Sequence, residues 1–376
     1  MLTGQHERAL VIADYSRTRS LNDKYGDAQI PPAPEIKVFQ RKRSGTPVLV
    51  YWIRETKSWL WCVNADGVKT WALPPRSEVK RAVEDYRSAL LSPLFDETAV
   101  QIKGQVLYRM LIEPAKTELH GLRQIRIVAD EPLHQLDLGA ITVPGESLRY
   151  LMEDLAISYL PALYPPAPRS SGKPSRTLLT LGNSVPATKE IPALPQAMKE
   201  MRLVAARFDS GQSVVVEGKA AVPSAWQMTK PGDFRFIHLA AHGTGNSVNP
   251  LASALLLSPE SNGYRLYASD ILRTPLHAEL VTISACFGSG TRSYESEGLV
   301  GLAWAFLRAG ANNVVSTLSE VNDQVTATLM DTLYREVAAG RDPAIALQIA
   351  RLEILHSSGV FRRPQYWSPF VAYSRN

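Results

Sequence analysis

HLAAHG (residues 238–243) and VTISAC (residues 281–286) are the two stretches that decide the fold of this chain of 376 residues. Each begins as an apolar run typical of a buried strand and ends abruptly in a reactive side chain, followed by a loop that carries glycine. We expect the two runs to be neighbouring strands that bring His242 and Cys286 to their ends. A thiol and an imidazole placed in this way are the minimal equipment for cysteine-dependent acyl transfer.

Composition is ordinary for a globular protein, with 45% hydrophobic and 20% charged residues and a net charge of +5. The basic cluster Arg41-Lys42-Arg43 has no aromatic platform beside it. A solvated face explains this cluster better than a nucleic-acid groove does. We therefore expect no direct contact with nucleic acid.

The two cysteines, Cys62 and Cys286, lie in very different settings, which argues against a disulfide framework and favours a reducing compartment. No apolar stretch approaches the roughly 18 residues needed to cross a bilayer. The polar N-terminus has no apolar signal core. These features predict a cytoplasmic protein that does not bind a membrane.

Residues 161–174 carry five prolines and two serines, a composition that resists packing, so a domain boundary is expected there. Short strand patterns and three helix patterns precede this segment. Strand and helix patterns alternate after it, which predicts an α/β fold with a mostly parallel sheet. Ligand sites in such sheets lie beyond the carboxyl ends of the strands, where His242 and Cys286 both fall.

Cys286 is the candidate nucleophile. A lone cysteine after a strand is more often a buried packing residue. Here, however, the small loop FGSG (residues 287–290) follows at once and cannot continue the strand. This loop favours an exposed thiol and leaves backbone N–H groups free to face an oxyanion.

His242 is the candidate general base, and a capping or core role is the alternative. It is followed by GTGN (residues 243–246), whose glycines allow a substrate backbone to approach closely. The backbone N–H groups of Gly243 and Cys286 are the candidate oxyanion-hole donors. Cys286 lies 44 residues after His242, close to the roughly 50 found when histidine precedes cysteine in caspase-type proteases.

His238 and His242 form a His-x-x-x-His pattern, which suggests zinc. The metalloprotease helix motif needs glutamate directly after its first histidine, but Leu239 stands there, and no third ligand is apparent nearby. We therefore interpret His238 as structural and expect neither a metal nor a cofactor.

Several motifs in the same order resemble the CHAT domain, which belongs to the caspase–separase group (clan CD) of cysteine peptidases. The likeness extends over most of residues 45–374. Its motifs are the hairpin around Asp66-Gly67, RIVADEPLHQLDL (126–138), HLAAHG (238–243), SACFG (284–288), EGLVGLAWAFLRAGA (297–311) and YWSPF (366–370).

The resemblance implies a caspase-like three-layer α/β sandwich over residues 175–376, with His242 and Cys286 as its catalytic dyad. A smaller pseudo-caspase-like α/β subdomain would occupy residues 45–165. Residues 1–44 would be a helix and linker left from a tetratricopeptide array, because CHAT domains often follow such repeats. The activator is then expected to be a separate protein partner.

The chain departs from the family pattern Leu-Trp-x-Val-x-Asp, since Ser319 replaces the tryptophan in LSEVND (residues 318–323). This stretch lies near the primary specificity pocket of related proteases. Glu320 and Asp323 could pair there with a Lys or Arg side chain of the substrate. The alternative is that Asp323 caps the following helix and Glu320 is solvated.

These features together predict a cysteine endopeptidase that cleaves a protein or peptide substrate after a basic residue. A different class of function stays open, namely a catalytically idle module that docks partners on a caspase-like surface. A third reading is a protease held inactive until a partner rearranges residues 287–296.

Overall fold

The computed structural model describes residues 3–25, 46–163, 172–186, 188–189, 191, 193–246, 249–284, 296–319 and 321–375. The chain divides into two compact units. The first comprises Met1–Pro166 with Arg363–Ser368, and the second comprises Ala167–Arg362 with Pro369–Asn376. Within the described residues, no helix is long and apolar enough to span a membrane.

Within the residues that the structure describes, the first unit combines a mixed sheet with four α-helices. Its strands, in the order β3-β2-β1-β4-β5, are β1 (Val48–Trp52), β2 (Ser58–Asn64), β3 (Gly67–Leu73), β4 (Gln124–Val128) and β5 (Ala156–Tyr159). The pairs β1–β2 and β2–β3 are antiparallel, whereas β1–β4 and β4–β5 are parallel. Its helices are α1 (Thr3–Tyr25), α2 (Arg76–Leu90), α3 (Glu97–Leu111) and α4 (Lys116–Leu119).

Helix α1 is part of the core of the first unit. Its Leu10 and Ala13 pack with Val50 and Trp61 in one buried cluster. The buried Asp14 on the same helix accepts a hydrogen bond of 2.6 Å from the backbone N–H of Leu163. Because an unpaired carboxylate would be unfavourable at such a buried position, this bond helps to fix the helix on the unit.

The second unit contains the predicted mostly parallel sheet, in the order β14-β13-β12-β8-β6-β7. Neighbouring strands from β7 to β13 are parallel, and β14 is antiparallel to β13. The strands are β6 (Arg176–Ser184), β7 (Ser213–Gly218), β8 (Phe234–Ala240), β12 (Leu280–Ser284), β13 (Asn313–Thr317) and β14 (Phe370–Ser374). The helices are α5 (Ala197–Ala205), α6 (Pro223–Met228), α7 (Ala268–Leu272), α8 (Ser296–Ala309), α9 (Asp323–Ala338) and α10 (Pro343–Leu355).

The long insertion between β8 and β12 has a structure that the sequence patterns did not predict. It forms a separate antiparallel sheet of β9 (His242–Thr244), β10 (Ala254–Glu260) and β11 (Gly263–Tyr267), followed by α7. Since β9 begins two residues after β8 ends, the chain passes almost directly from the main sheet into this small one.

Three parallel strands of the main sheet are in register at their carboxyl ends, next to the candidate site. Gly182 of β6 pairs with Ala240 of β8, which pairs in turn with Ser284 of β12. A Cβ atom on Gly182 would lie only 2.1 Å from the carbonyl oxygen of Ala240. The absence of a side chain at this position is therefore what allows β6 and β8 to approach so closely.

We predict that Gly182→Ala destabilises the protein, because the backbone of β8 must move to accept the added methyl group. The free energy of unfolding should fall by about 1–3 kcal/mol, as for other overpacked positions. Gly211→Ala is the matched control, since its Cβ would meet only Asp209 Oδ1 at an ordinary 3.5 Å. Urea unfolding followed by circular dichroism measures both variants, and equal stability of the two would contradict the prediction.

We also predict that Cys62 resists alkylation in the folded protein. Its side chain is buried in β2, and burial raises the pKa of the thiol to about 12. Because the thiolate is the reactive form, roughly one thiol in ten thousand would be ionised at pH 8. Iodoacetamide at pH 8 should modify Cys62 only after denaturation, as read from the mass of its tryptic peptide. Complete modification of the native protein would refute this.

Candidate active site

His242 is held at the junction of the two sheets of the second unit. It is the first residue of β9, pairs with Leu256 of β10 and is 4% exposed. The residue before it, Ala241, donates a backbone hydrogen bond of 3.3 Å to the carbonyl of Ser284 on β12. The backbone at the imidazole is thus fixed from both sides.

The glycine-bearing segment after His242 is ordered by the small sheet. Gly243 is buried in β9 and pairs with Leu255 of β10. Further along, the backbone N–H of Asn246 donates to Ser253 Oγ at 3.1 Å. The candidate oxyanion donor Gly243 therefore lies in a strand and not in an open loop.

Cys286 lies outside the described residues, together with the rest of residues 285–295. The last described position before it is Ser284, the buried end of β12 and the second residue ahead of Cys286 in the sequence. The structure therefore shows that β8 and β12, the strands leading to His242 and Cys286, are adjacent and parallel. The dyad itself stays a prediction.

Of the two acidic residues proposed for the specificity pocket, Glu320 also lies outside the described residues. Asp323 is the first residue of α9 and is partly exposed. The cap of this helix is Asn322, whose side chain accepts hydrogen bonds from the N–H groups of Gln324 and Val325. The alternative in which Asp323 caps the helix is therefore wrong, and its carboxylate is not used in that way.

A buried polar network begins two residues before the ends of β8 and β12. His238 Nδ1 is 2.7 Å from Thr282 Oγ1, and Thr282 Oγ1 is 2.7 Å from the hydroxyl of Tyr334 on α9. On the other side of the ring, Nε2 lies 3.1 Å from Oε1 of Glu200 on α5. This last distance suits an ion pair, although the alignment falls short of a hydrogen bond.

All four side chains of this network are almost completely buried, with exposures of 0–3% for His238, Thr282, Tyr334 and Glu200. Burial raises the pKa of the Tyr334 phenol, so its hydroxyl keeps its proton. His238 thus has the structural position that the sequence predicted for it. Among the described residues, no group of three or more His, Cys, Asp and Glu side chains is arranged to hold a metal ion.

Sequence reasoning missed Glu200 and Tyr334. A usable signal for Glu200 was present, because it falls on the buried stripe of α5 with Ala197, Met201 and Val204. A carboxylate on such a stripe needs a partner, since an isolated buried charge is strongly unfavourable. Tyr334 gave no comparable signal, because a tyrosine among apolar helix residues is ordinary core composition.

Comparisons with known proteins agree with this fold. The CHAT domain family model matches residues 101–375. Separase in a Saccharomyces cerevisiae separase–securin complex superimposes with a TM-score of 0.54 at 10% identity, over 90% of this chain and 30% of that chain. The Arg-specific cysteine proteinase gingipain R gives a TM-score of 0.44 at 8% identity, over 79% of this chain and 74% of that chain. A comparison with curated protein sequences finds no match.

The chain spans less than a third of the length of the separase chain it resembles, and at 10% identity that likeness concerns the fold alone. The predicted mixed α/β architecture with its mostly parallel sheet is confirmed. Because the family model covers well over half of the residues, the protein belongs to the CHAT domain family.

Proposed function

We propose that the protein is a cysteine endopeptidase with Cys286 as nucleophile and His242 as general base. The observation that carries this proposal is the pairing of β8 with β12. The last pair joins Ala240 to Ser284, and His242 and Cys286 each follow two residues later in the sequence. Membership of the CHAT family and the separase-like fold support the same class of chemistry. We assign catalysis to the second unit and a pseudo-caspase-like role to the first.

The reaction follows from the groups present. His242 takes the proton of the Cys286 thiol, and the thiolate sulfur attacks the peptide carbonyl. The N–H groups of Gly243 and Cys286 donate to the oxyanion of the tetrahedral intermediate. The carbon–nitrogen bond breaks as the imidazolium protonates the leaving amine. Water, deprotonated by His242, then hydrolyses the thioester and restores the thiol.

We further propose a preference for substrates with Lys or Arg before the cleaved bond. Asp323 lies at the N-terminal end of α9 and is partly exposed, and Glu320 precedes it by three residues. A carboxylate pairs well with an ammonium or guanidinium group when both are partly desolvated. Ser319, in the place of the family tryptophan, leaves room for a long side chain.

Protein partners also belong to this proposal. The separase of the comparison is bound to securin in its crystal structure. For this chain we propose an activating protein that arranges the segment after Cys286. Such a mechanism would lower the activity of the peptidase when it is isolated from its partner, without abolishing the reactivity of Cys286.

The dyad can be tested with an electrophilic peptide derived from Lys or Arg. Wild type should be labelled covalently, with the adduct at Cys286, and Cys286→Ala should not be labelled at all. His242→Ala should lower the labelling rate by about a hundred- to ten-thousand-fold, the usual contribution of a general base. Cys62→Ala is the matched control and should keep the wild-type rate. Mass spectrometry of intact protein provides the readout.

Labelling of Cys286→Ala at the wild-type rate would exclude the proposed nucleophile. Wild type that stays unlabelled, both alone and with the products of neighbouring genes added, would favour the idle docking module instead.

The basic preference is tested by Glu320→Gln with Asp323→Asn. Loss of the two charges should reduce the ratio of labelling rates between a basic and a size-matched neutral peptide about tenfold or more, the scale of one hydrogen bond to a charged group. Asp331→Asn on the same helix is the control, because Asp331 already pairs with Arg207 at 2.6 Å. An unchanged ratio in the double variant would contradict the assignment.

A further inference from the structure

We propose that His238 is a positioning residue for the dyad. Through the buried chain Glu200–His238–Thr282–Tyr334 it fixes the register of β8 and β12, so that the segments carrying His242 and Cys286 start from matched positions. This inference rests on the proposed function, because it assigns a role relative to those two catalytic residues. None of the four side chains belongs to the dyad itself.

The placement of the network in the sheet is the first argument. His238 of β8 pairs with Thr282 of β12 in the strand register. Each of these residues precedes its candidate catalytic residue by four positions, since His242 follows His238 and Cys286 follows Thr282. At about 3.3 Å per residue, the tie lies roughly 6.6 Å before the last paired residues of the two strands, Ala240 and Ser284. It is almost completely buried, so it does not touch substrate, but it is aligned with both strand ends.

The hydrogen bonds form a closed loop between the two strands. From His238 Nδ1 the chain runs to Thr282 Oγ1 on β12 and on to the Tyr334 hydroxyl on α9. That hydroxyl donates to the carbonyl oxygen of Ile237 on β8, at 3.4 Å, and therefore accepts from Thr282. On the opposite side of the ring, Glu200 Oε1 on α5 lies 3.1 Å from Nε2 without the alignment of a hydrogen bond. The chain of hydrogen bonds therefore runs from His238 of β8 to Thr282 of β12, and returns to β8 at Ile237 through Tyr334 of α9.

Stability alone gives little reason for such a network. Well-packed apolar residues often replace a buried charged pair without loss of stability. Register is a better reason, because the remaining residues of the two strands, FRFI–LA on β8 and LV–IS on β12, are mostly apolar, so the apolar pattern alone does not distinguish alignments that differ by two residues. Side chains return to the same face every two residues, so a slip of two positions would separate the strand ends by about 6.6 Å. A thiol and an imidazole displaced by that distance could not share a proton.

The test uses the pH dependence of Cys286 alkylation by iodoacetamide in the full-length protein. A well-placed imidazole stabilises the thiolate, so the midpoint of the wild-type rate profile should lie below about 8.5, the ordinary pKa of cysteine. Thr282→Val removes the hydroxyl at nearly constant shape. Its midpoint should rise by about one pH unit, with a rate at pH 7 about tenfold lower.

Thr282→Ser is the matched control, because it keeps the hydroxyl and loses only a methyl group. It should lower the melting temperature through weaker packing but keep the wild-type midpoint. If Thr282→Val does not fold, Tyr334→Phe removes the far end of the same chain and should raise the midpoint in the same direction.

Two results would overturn the inference, and they differ from each other. If Thr282→Val and Tyr334→Phe fold and keep the wild-type midpoint, the network is structural only and the proposed dyad stands. If wild type itself shows an ordinary midpoint near 8.5 or does not react at Cys286, the proposed function fails and this inference fails with it.

Discussion

The alignment of β8 with β12 is the constraint on which the rest of the second unit depends. These strands are separated by the whole insertion that contains β9, β10 and β11, yet they pair residue by residue from Phe236 with Leu280 to Ala240 with Ser284. Every group proposed for chemistry follows the end of one of these two strands. The flanking features serve this pairing: Gly182 allows β6 to approach, and helices α5 and α9, which pack against each other, contribute polar side chains beside His238 and Thr282.

The main sheet could be read from the sequence because its signals are local. Apolar runs such as Leu280–Ser284, bounded by glycine and alternating with helical stripes, specify parallel strands under helices. The hairpin at Asp66-Gly67 was equally clear, and the structure confirms it with the antiparallel pairing of β2 and β3.

The parts that escaped prediction depend on contacts between residues distant in sequence. The sheet of β9, β10 and β11 begins with a strand of three residues, too short to show any periodicity. The partner of His238 is Glu200 on a helix 38 residues earlier, and no local pattern connects the two. The cap of α9 was placed one residue late, because both Asn322 and Asp323 are good capping residues and only geometry separates them.

The position of His242 at the start of β9 has a consequence for how the proposed peptidase would be controlled. His242 starts the small sheet, and Ala241 directly before it donates a backbone hydrogen bond to Ser284 of the main sheet, so the two sheets meet at this point of the chain. The hairpin of β10 and β11 is joined to this point because His242, Gly243 and Thr244 of β9 pair with residues of β10. A molecule that bound and displaced the hairpin of β10 and β11 would therefore reorient the imidazole of His242, without entering the site or touching a strand of the main sheet.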